Sequence, residues 1–144
     1  MRRGISLLEL VVVLAVAGVL AGFALPAARR FYDAVVVERA AQTVVAAHRV
    51  ARFSAIMRNC RTLLTVRPDS IAVRALNGGD TLNLWFREGP LASGITLSAP
   101  SRAFGFAPNG LPIGAANATF ELQRGATVRR VIVSRLGRTR IERR

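Results

Sequence analysis

The spacing of hydrophobic and polar residues predicts a single long helix in the first part of the chain. No charged or polar side chain occurs from Leu10 to Leu25, so this stretch and the residues before it suit a membrane-spanning helix. After Pro26 the pattern becomes amphipathic, with apolar residues at steps of three and four. These residues are Val37, Ala41, Val44, Ala47, Ala51 and Ala55. We predict one helix from Ile5 to about Arg58, roughly 80 Å long, whose second half packs on the segments that follow.

After Asn59 the hydrophobic period changes to two, which is typical of β-strands. The predicted strands are Arg61–Val66, Ser70–Arg74, Thr81–Phe86, Ile95–Ser98, Arg102–Phe106, Thr119–Gln123, Thr127–Ser134 and Arg138–Glu142. Turn residues rich in Gly, Pro, Asn and Asp separate most of them, and loops are predicted at 88–94 and 112–117. A long helix followed by antiparallel strands predicts an α+β fold with the helix packed on one or more sheets.

Two residues stand out within the apolar part of the predicted helix. Glu9 lies near the start of this apolar segment. A charged side chain in such a segment is costly, on the order of 3 kcal/mol at the bilayer centre. An acidic residue in such a segment therefore indicates a function, and Glu9 is the first candidate site. Pro26 removes one backbone hydrogen bond, so we expect it to bend the helix where the chain leaves the bilayer.

The residues before Glu9 add a second signal. A short basic leader, Met1-Arg2-Arg3-Gly4, is followed directly by Ile5-Ser6-Leu7-Leu8-Glu9. This arrangement resembles the type IV prepilin signature, although Ile5 and Ser6 stand where Phe and Thr are commoner. The resemblance implies that a prepilin peptidase cleaves between Gly4 and Ile5 and methylates the new N-terminus. It also implies that Glu9 neutralises the N-terminal amine of a neighbouring subunit in a filament.

Two other interpretations of the N-terminal segment remain open. A secretory signal peptide would be cleaved after its apolar core at a small-residue site, for which Ala24-Leu25-Pro26-Ala27-Ala28 could loosely serve. The charge of Glu9 inside the apolar segment argues against that interpretation. A plain signal anchor, in which Glu9 is incidental, is the second.

Two C-terminal segments narrow the resemblance to one branch of the pilin-like proteins. Residues 104–110, Phe-Gly-Phe-Ala-Pro-Asn-Gly, and residues 131–140 resemble the FimT/GspH family of minor pseudopilins. This resemblance implies a type IV pilin-like fold with three parts. They are a leader peptide at 1–4, the transmembrane and assembly half of the helix at 5–28, and a periplasmic α+β domain at 29–144. It further implies a single-pass protein of the inner membrane that later enters a pseudopilus.

Arginine dominates the charge of the chain. There are 21 basic residues, all of them Arg, against 8 acidic ones, giving a net charge of +13. Such an excess favours anionic partners. The segment Gly137-Arg138-Thr139-Arg140 matches a Gly-Arg-x-Arg motif that the resemblance associates with DNA-binding FimT proteins. On a strand these two arginines would point to one face about 7 Å apart and could hold successive phosphates. The alternative is that they form a solvated strand edge or contact another protein.

The remaining reactive residues do not form a catalytic or metal-binding set. His48 and Cys60 are the only histidine and cysteine, so an intramolecular disulfide is excluded, and the chain has neither a conventional zinc set nor a plausible partner for a histidine-dependent triad. We expect His48 to be a packing or boundary residue of the helix and Cys60 to be a small buried residue. The carboxylates of the later segments are scattered singly. We therefore expect no enzyme activity, no metal and no cofactor.

Together these features predict a minor pseudopilin of a type II secretion system, assembling into a short periplasmic pseudopilus for protein export. The alternative is a FimT-like minor type IV pilin that binds DNA through its Arg-rich C-terminus during pilus assembly or natural transformation. The expected partners are other pseudopilins or minor pilins, the inner-membrane assembly platform, the prepilin peptidase and the lipid of the inner membrane, with DNA added under the alternative.

Overall fold

A single helix, α1, runs without interruption from Leu7 to Met57 in the computed structural model, which describes residues 6–99, 103–114 and 117–143. Pro26 lies inside this helix. Every residue from Ser6 to Tyr32 is exposed, and Val37 is the first buried residue of the helix. The predicted long helix is therefore confirmed over the described residues, with a bare first half and a packed second half.

The residues that directly follow α1 explain why the helix ends at Met57. Asn59 has a φ of 47°, the left-handed conformation that asparagine tolerates better than most residues. This turn lets the N–H of Cys60 donate to the carbonyl of Ala55 at 3.2 Å and the N–H of Asn59 donate to Ile56 at the same distance. The two bonds form a Schellman motif, which satisfies carbonyls that the end of the helix would leave unpaired.

Nine strands follow α1 and form two antiparallel sheets. The strands are β1 (Arg61–Val66), β2 (Ser70–Asn77), β3 (Asp80–Glu88), β4 (Thr96–Ser98), β5 (Phe104–Phe106), β6 (Pro112–Ile113), β7 (Ala118–Arg124), β8 (Thr127–Val133) and β9 (Thr139–Arg143). One sheet has the order β3-β2-β1-β5-β6 and the other the order β4-β7-β8-β9. The α+β class predicted from the sequence is confirmed.

Both sheets pack against the second half of α1. Alternate residues of the strands point to the helix, as the period of two predicts. The predicted apolar stripe of α1 is buried in full, and its strand partners include Leu64, Val73, Phe106, Phe120, Leu122 and Val131. The hydroxyl of Thr62, also buried, donates to the carbonyl of Ala51 at 2.8 Å and fixes β1 to the helix. The core therefore lies between α1 and the two sheets.

Several sequence predictions differ from the structure in detail. Residues 112–117 were expected to be a loop, yet Pro112–Ile113 form β6 by pairing with Phe106 and Gly105. Two residues are too few to give a recognisable period, so only the partner strand reveals this element. The predicted loop at 88–94 contains a short 3₁₀ helix, Pro90–Ser93, which begins with proline, a residue suited to a first helical position. Arg102, the first residue of one predicted strand, lies outside the described residues.

Two further predictions need correction. Strand β9 begins at Thr139, so Arg138 precedes the strand that was expected to include it. The loop hydrogen bonds of Arg138 to Ser134 explain this boundary. Cys60 is half-buried, whereas it was expected to be buried, because it follows the end of α1 and does not belong to the packed stripe.

Candidate functional site

The first candidate site is the exposed half of α1. Glu9 lies in its first turn, after Ser6, the N-cap residue. From Ser6 to Tyr32 every residue is exposed, including Leu7 at 81% and Phe23 at 78%. A continuous apolar surface of this size requires a cover of lipid or of other protein chains. The helix is long and apolar enough to cross a membrane, and none of its most apolar part is buried against the rest of the described chain.

Glu9 is isolated within this surface. Its carboxylate forms no hydrogen bond or ion pair with the part of the chain that the structure describes. Gly4 and Ile5, the residues at which cleavage is expected, lie outside the described residues. A carboxylate among leucines and valines needs a cationic partner once water is removed. The geometry thus leaves Glu9 free for a positive group from another molecule.

Pro26 lies within the exposed half, where the helix was expected to bend. Proline has no backbone N–H, so the carbonyl of Gly22, four residues earlier, loses its usual helical donor. Gly22 has no side chain and nothing lies near its Cβ position. The bend at Pro26 stays a prediction.

The second candidate site is the loop between β8 and β9, which contains the Gly-Arg-x-Arg segment. Gly137 is buried and has a φ of 75°, a conformation that favours glycine. A Cβ atom there would lie 3.2 Å from the side chain of Pro112 and 3.8 Å from that of His48. The N–H of Gly137 donates to the carbonyl of Ser134 at 2.9 Å and closes the turn. Glycine at this position of the motif therefore has a structural role, because it lets the loop turn tightly against α1 and β6.

The two arginines of the motif have different surroundings. Arg138 is exposed and lies in the loop, where its backbone N–H donates to the hydroxyl of Ser134 at 3.1 Å. Arg140 is exposed on β9 and forms an ion pair with Glu142, two residues later on the same face. This pair partly neutralises Arg140, so Arg138 presents the less compensated charge. Both side chains are accessible to an anionic partner.

His48 lies directly beneath this loop. Its side chain is buried, and its ring meets that of Phe106 edge to face at a centroid distance of 5.0 Å. Burial, together with the smaller effect of the nearby charges of Arg52 and Arg49, lowers the pKa of His48 to about 4. The imidazole is therefore neutral at pH 7, and the prediction of a packing histidine is confirmed.

Two ion pairs that sequence reasoning missed attach the β7–β8 hairpin to α1. Arg124 Nε lies 3.0 Å from an oxygen of Asp33, and Arg129 Nε lies 3.0 Å from an oxygen of Glu38. The hydrogen bond from Arg129 lowers the pKa of Glu38, against the opposing effect of burial. Because the partners are about 90 residues apart, no local pattern could reveal them. The pairs fix the tip of the hairpin beside the point where α1 emerges from the sheets.

Within the described ranges, no group of three or more His, Cys, Asp or Glu side chains could hold a metal ion. The arrangement offers instead an unpaired carboxylate on an exposed apolar helix and an arginine-bearing loop on a folded domain. Both suit contacts with other molecules.

Comparison with known protein families identifies the class. The family model described as type II transport protein GspH matches residues 40–137, from the packed half of α1 to the glycine of the β8–β9 loop. The chain belongs to the GspH family. The FimT/GspH resemblance of the two C-terminal segments is therefore confirmed.

Individual relatives of this GspH-family chain agree with that assignment. The pilin-like protein PilA1 of Thermus thermophilus is 32% identical and matches over 98% of this chain and 99% of its own length. The type IV minor pilin FimU of Pseudomonas aeruginosa superposes with a TM-score of 0.62 at 20% identity, covering 74% of this chain and 87% of FimU. The minor pseudopilin EpsH of the type 2 secretion system of Vibrio cholerae gives 0.60 at 13% identity, covering 74% and 96%.

The two solved structures establish a type IV pilin-like fold for the GspH-family chain, as the sequence predicted. The chain is accordingly a structural pilin-like subunit and not an enzyme. Pilin-like proteins assemble with other pilins or pseudopilins, so subunits of this class are its partners.

Proposed function

We propose that the chain is a minor pseudopilin of a type II secretion system, stored in the inner membrane and then moved into a short periplasmic pseudopilus for protein export. The observation that carries this proposal is the bare apolar half of α1 with its single carboxylate, joined to a domain of the GspH family. In this account residues 5–28 form the membrane and assembly segment and residues 29–144 the periplasmic domain.

Processing prepares the subunit for assembly. A prepilin peptidase removes residues 1–4 by cleaving after Gly4 and methylates the new amine of Ile5. Within the filament, the carboxylate of Glu9 pairs with the methylated amine of a neighbouring subunit. Each of these charges is costly in lipid, so pairing them removes both penalties and fixes the axial position of one subunit against the next. An inner-membrane assembly platform extracts the processed chain.

Deleting the gene tests the choice of machine. We expect proteins that normally reach the medium to accumulate in the periplasm, while pilus number and DNA uptake stay at wild-type levels. Export should return when the full chain is supplied from a plasmid. Normal export combined with lost DNA uptake would contradict the secretion assignment and favour a FimT-like minor type IV pilin.

The accessible arginines of the β8–β9 region favour that second candidate function. Arg138 and Arg140 are both exposed, and the loop glycine before them is held tightly against Pro112 and His48. Guanidinium groups suit phosphate because their planar donors can form paired hydrogen bonds. A FimT-like subunit would use them to hold the DNA backbone during pilus assembly or transformation.

A binding measurement separates this candidate from general basicity. If the full chain in detergent binds DNA through these arginines, its affinity should fall steeply with salt and depend little on sequence. Replacing both Arg138 and Arg140 with Gln should weaken binding by at least about tenfold, since each phosphate contact contributes through charge-assisted bonds. The matched control replaces Arg74 and Arg87, which lie on β2 and β3 outside the motif. Equal losses from both pairs would contradict a specific site.

A further inference from the structure

A cleft lies beside α1 at the point where its exposed half meets the folded domain. It has a volume of about 450 Å³. Its lining consists of Leu25, Ala28, Arg29, Tyr32, Asp33 and Arg124. The first five residues lie on the helix at successive steps along one side, and Arg124 reaches across from the end of β7. We call this feature the exit cleft.

The position of the exit cleft along the helix corresponds to the polar surface of a membrane. Residues from Leu7 to Leu25 form about 28 Å of helix, close to the thickness of the hydrocarbon core of a bilayer. Arg29 lies about 6 Å farther along the axis, within the headgroup layer, and Tyr32 lies about 10 Å farther, just beyond that layer and close enough for its side chain to reach it. Tyrosine and arginine are residues that favour this layer.

Arg124 is held rigidly in the exit cleft. Its Nε pairs with Asp33 at 3.0 Å, and its Nη1 donates to the carbonyl of Ser93 at 2.8 Å. The guanidinium carbon lies 5.0 Å from the ring centroid of Tyr32. These contacts use two of the five N–H donors of an arginine, so three remain in a fixed orientation for another acceptor. A guanidinium positioned in this way loses little side-chain entropy when it binds an anion.

The charges around the exit cleft favour a negatively charged ligand. Asp33 offsets one positive charge, while Arg29 and Arg124 contribute two, and Arg30 is exposed beside them. The two arginines approach from different elements, one from α1 and one from the β7–β8 hairpin. Leu25 and Ala28 provide an apolar floor on the membrane side. The combination fits a group that is anionic at one end and hydrocarbon at the other.

We propose that the exit cleft binds the headgroup of an anionic phospholipid from the leaflet on the side of the folded domain. Arg29 and Arg124 hold the phosphate oxygens, Tyr32 supports Arg124, and Leu25 and Ala28 contact the first methylene groups of the acyl chains. The bound lipid holds the domain against the membrane surface until the subunit is extracted, when this contact must break. This inference rests on the membrane anchoring that the proposed function assumes.

Native mass spectrometry of the full chain released from lipid nanodiscs tests the inference. The discs contain equal amounts of phosphatidylglycerol and phosphatidylcholine. We expect one phosphatidylglycerol to be retained per chain, in at least about fivefold excess over phosphatidylcholine. The headgroup of phosphatidylglycerol has a net negative charge and forms charge-assisted bonds with the arginines, whereas the choline cation offsets the phosphate of phosphatidylcholine. Both Arg29→Gln and Arg124→Gln should reduce the retained phosphatidylglycerol by a similar factor.

The control is Arg58→Gln, which removes the same charge at the C-terminal end of α1, roughly 40 Å from Arg29. It should retain lipid as the unmodified chain does. Arg29 is exposed on α1, and the ion pair that attaches the hairpin is made by Arg124 and Asp33, so Arg29→Gln keeps the test valid if Arg124→Gln loosens the hairpin. Equal retention of the two lipids, equal loss from Arg58→Gln, or a dimer of the chain in place of lipid would overturn the inference. A chain that fails to enter the discs would overturn the membrane anchoring itself.

Discussion

Replacing Glu9 with leucine should leave the protein in the membrane and lower its incorporation into filaments by at least about tenfold, the effect of removing one partner of a desolvated ion pair. Insertion should be as efficient as before or better, because the substitution removes a charge from an apolar segment. Assembly should fail because the methylated amine of the neighbouring subunit would then have no counter-charge. The measurement is the amount of the chain that can be crosslinked to other pseudopilins in intact cells, relative to the total amount in membranes.

Two matched substitutions make the Glu9 experiment specific. Leu10→Val changes the shape of the neighbouring side chain without changing charge, so it should assemble normally. Glu9→Asp keeps the carboxylate on a shorter side chain and should give intermediate incorporation. Normal incorporation of Glu9→Leu would contradict the pairing and leave the carboxylate incidental.

Replacing Gly89 with alanine should lower the free energy of unfolding by more than about 3 kcal/mol. Gly89 is buried at the end of β3, and a Cβ atom there would lie 2.2 Å from the carbonyl oxygen of Pro68 and 2.5 Å from the backbone nitrogen of Ser70. These are backbone atoms in the turn between β1 and β2, and they cannot rotate away as a side chain could. The N–H of Gly89 also donates to the carbonyl of Asp69 at 2.8 Å, so moving the segment would break this bond.

The Gly89 prediction is measured by thermal unfolding of the full chain in detergent, followed by circular dichroism. We expect the melting temperature to fall by roughly 10 °C or more. The control is Gly105→Ala on β5, where the added Cβ would make an ordinary 3.5 Å contact with Ile113 and no left-handed backbone is needed. It should change stability by less than about 1 kcal/mol. Equal melting temperatures for Gly89→Ala and the unmodified chain would show that the close approach is wrong.

Local patterns were sufficient to predict most of the elements of this fold. The buried stripe of the long helix follows from the three- and four-residue spacing of its apolar residues, which is visible in that segment alone. The β1–β2 hairpin follows from Pro68 and Asp69, which lie between two segments of alternating residues. The pairing of β1 with β5 was not predictable in this way, because about 40 residues separate the partners. Strand β6 was missed for a different reason: its two residues are too few to show a period, and they form a strand only beside Gly105 and Phe106.

The candidate sites show the same difference between local signals and long-range contacts. Glu9 and the Gly137–Arg140 segment could be recognised in the sequence because each is a short local signal. What surrounds them depends on the fold. The contact of Gly137 with His48, the ion pair of Arg140 with Glu142 and the anchoring of Arg124 at the exit cleft all depend on how the strands meet α1. Such contacts bring together residues whose types are common and whose separation carries no pattern.

The most direct test of the whole account is the mass and N-terminal sequence of the chain purified from membranes of a cell with an active prepilin peptidase. The account predicts a chain that lacks residues 1–4 and begins at Ile5 with one added methyl group on its amine. Replacing Gly4 with a bulky residue should abolish this product. A chain that still begins at Met1, or one cut near Ala28, would contradict the assignment of the helix as an assembly segment.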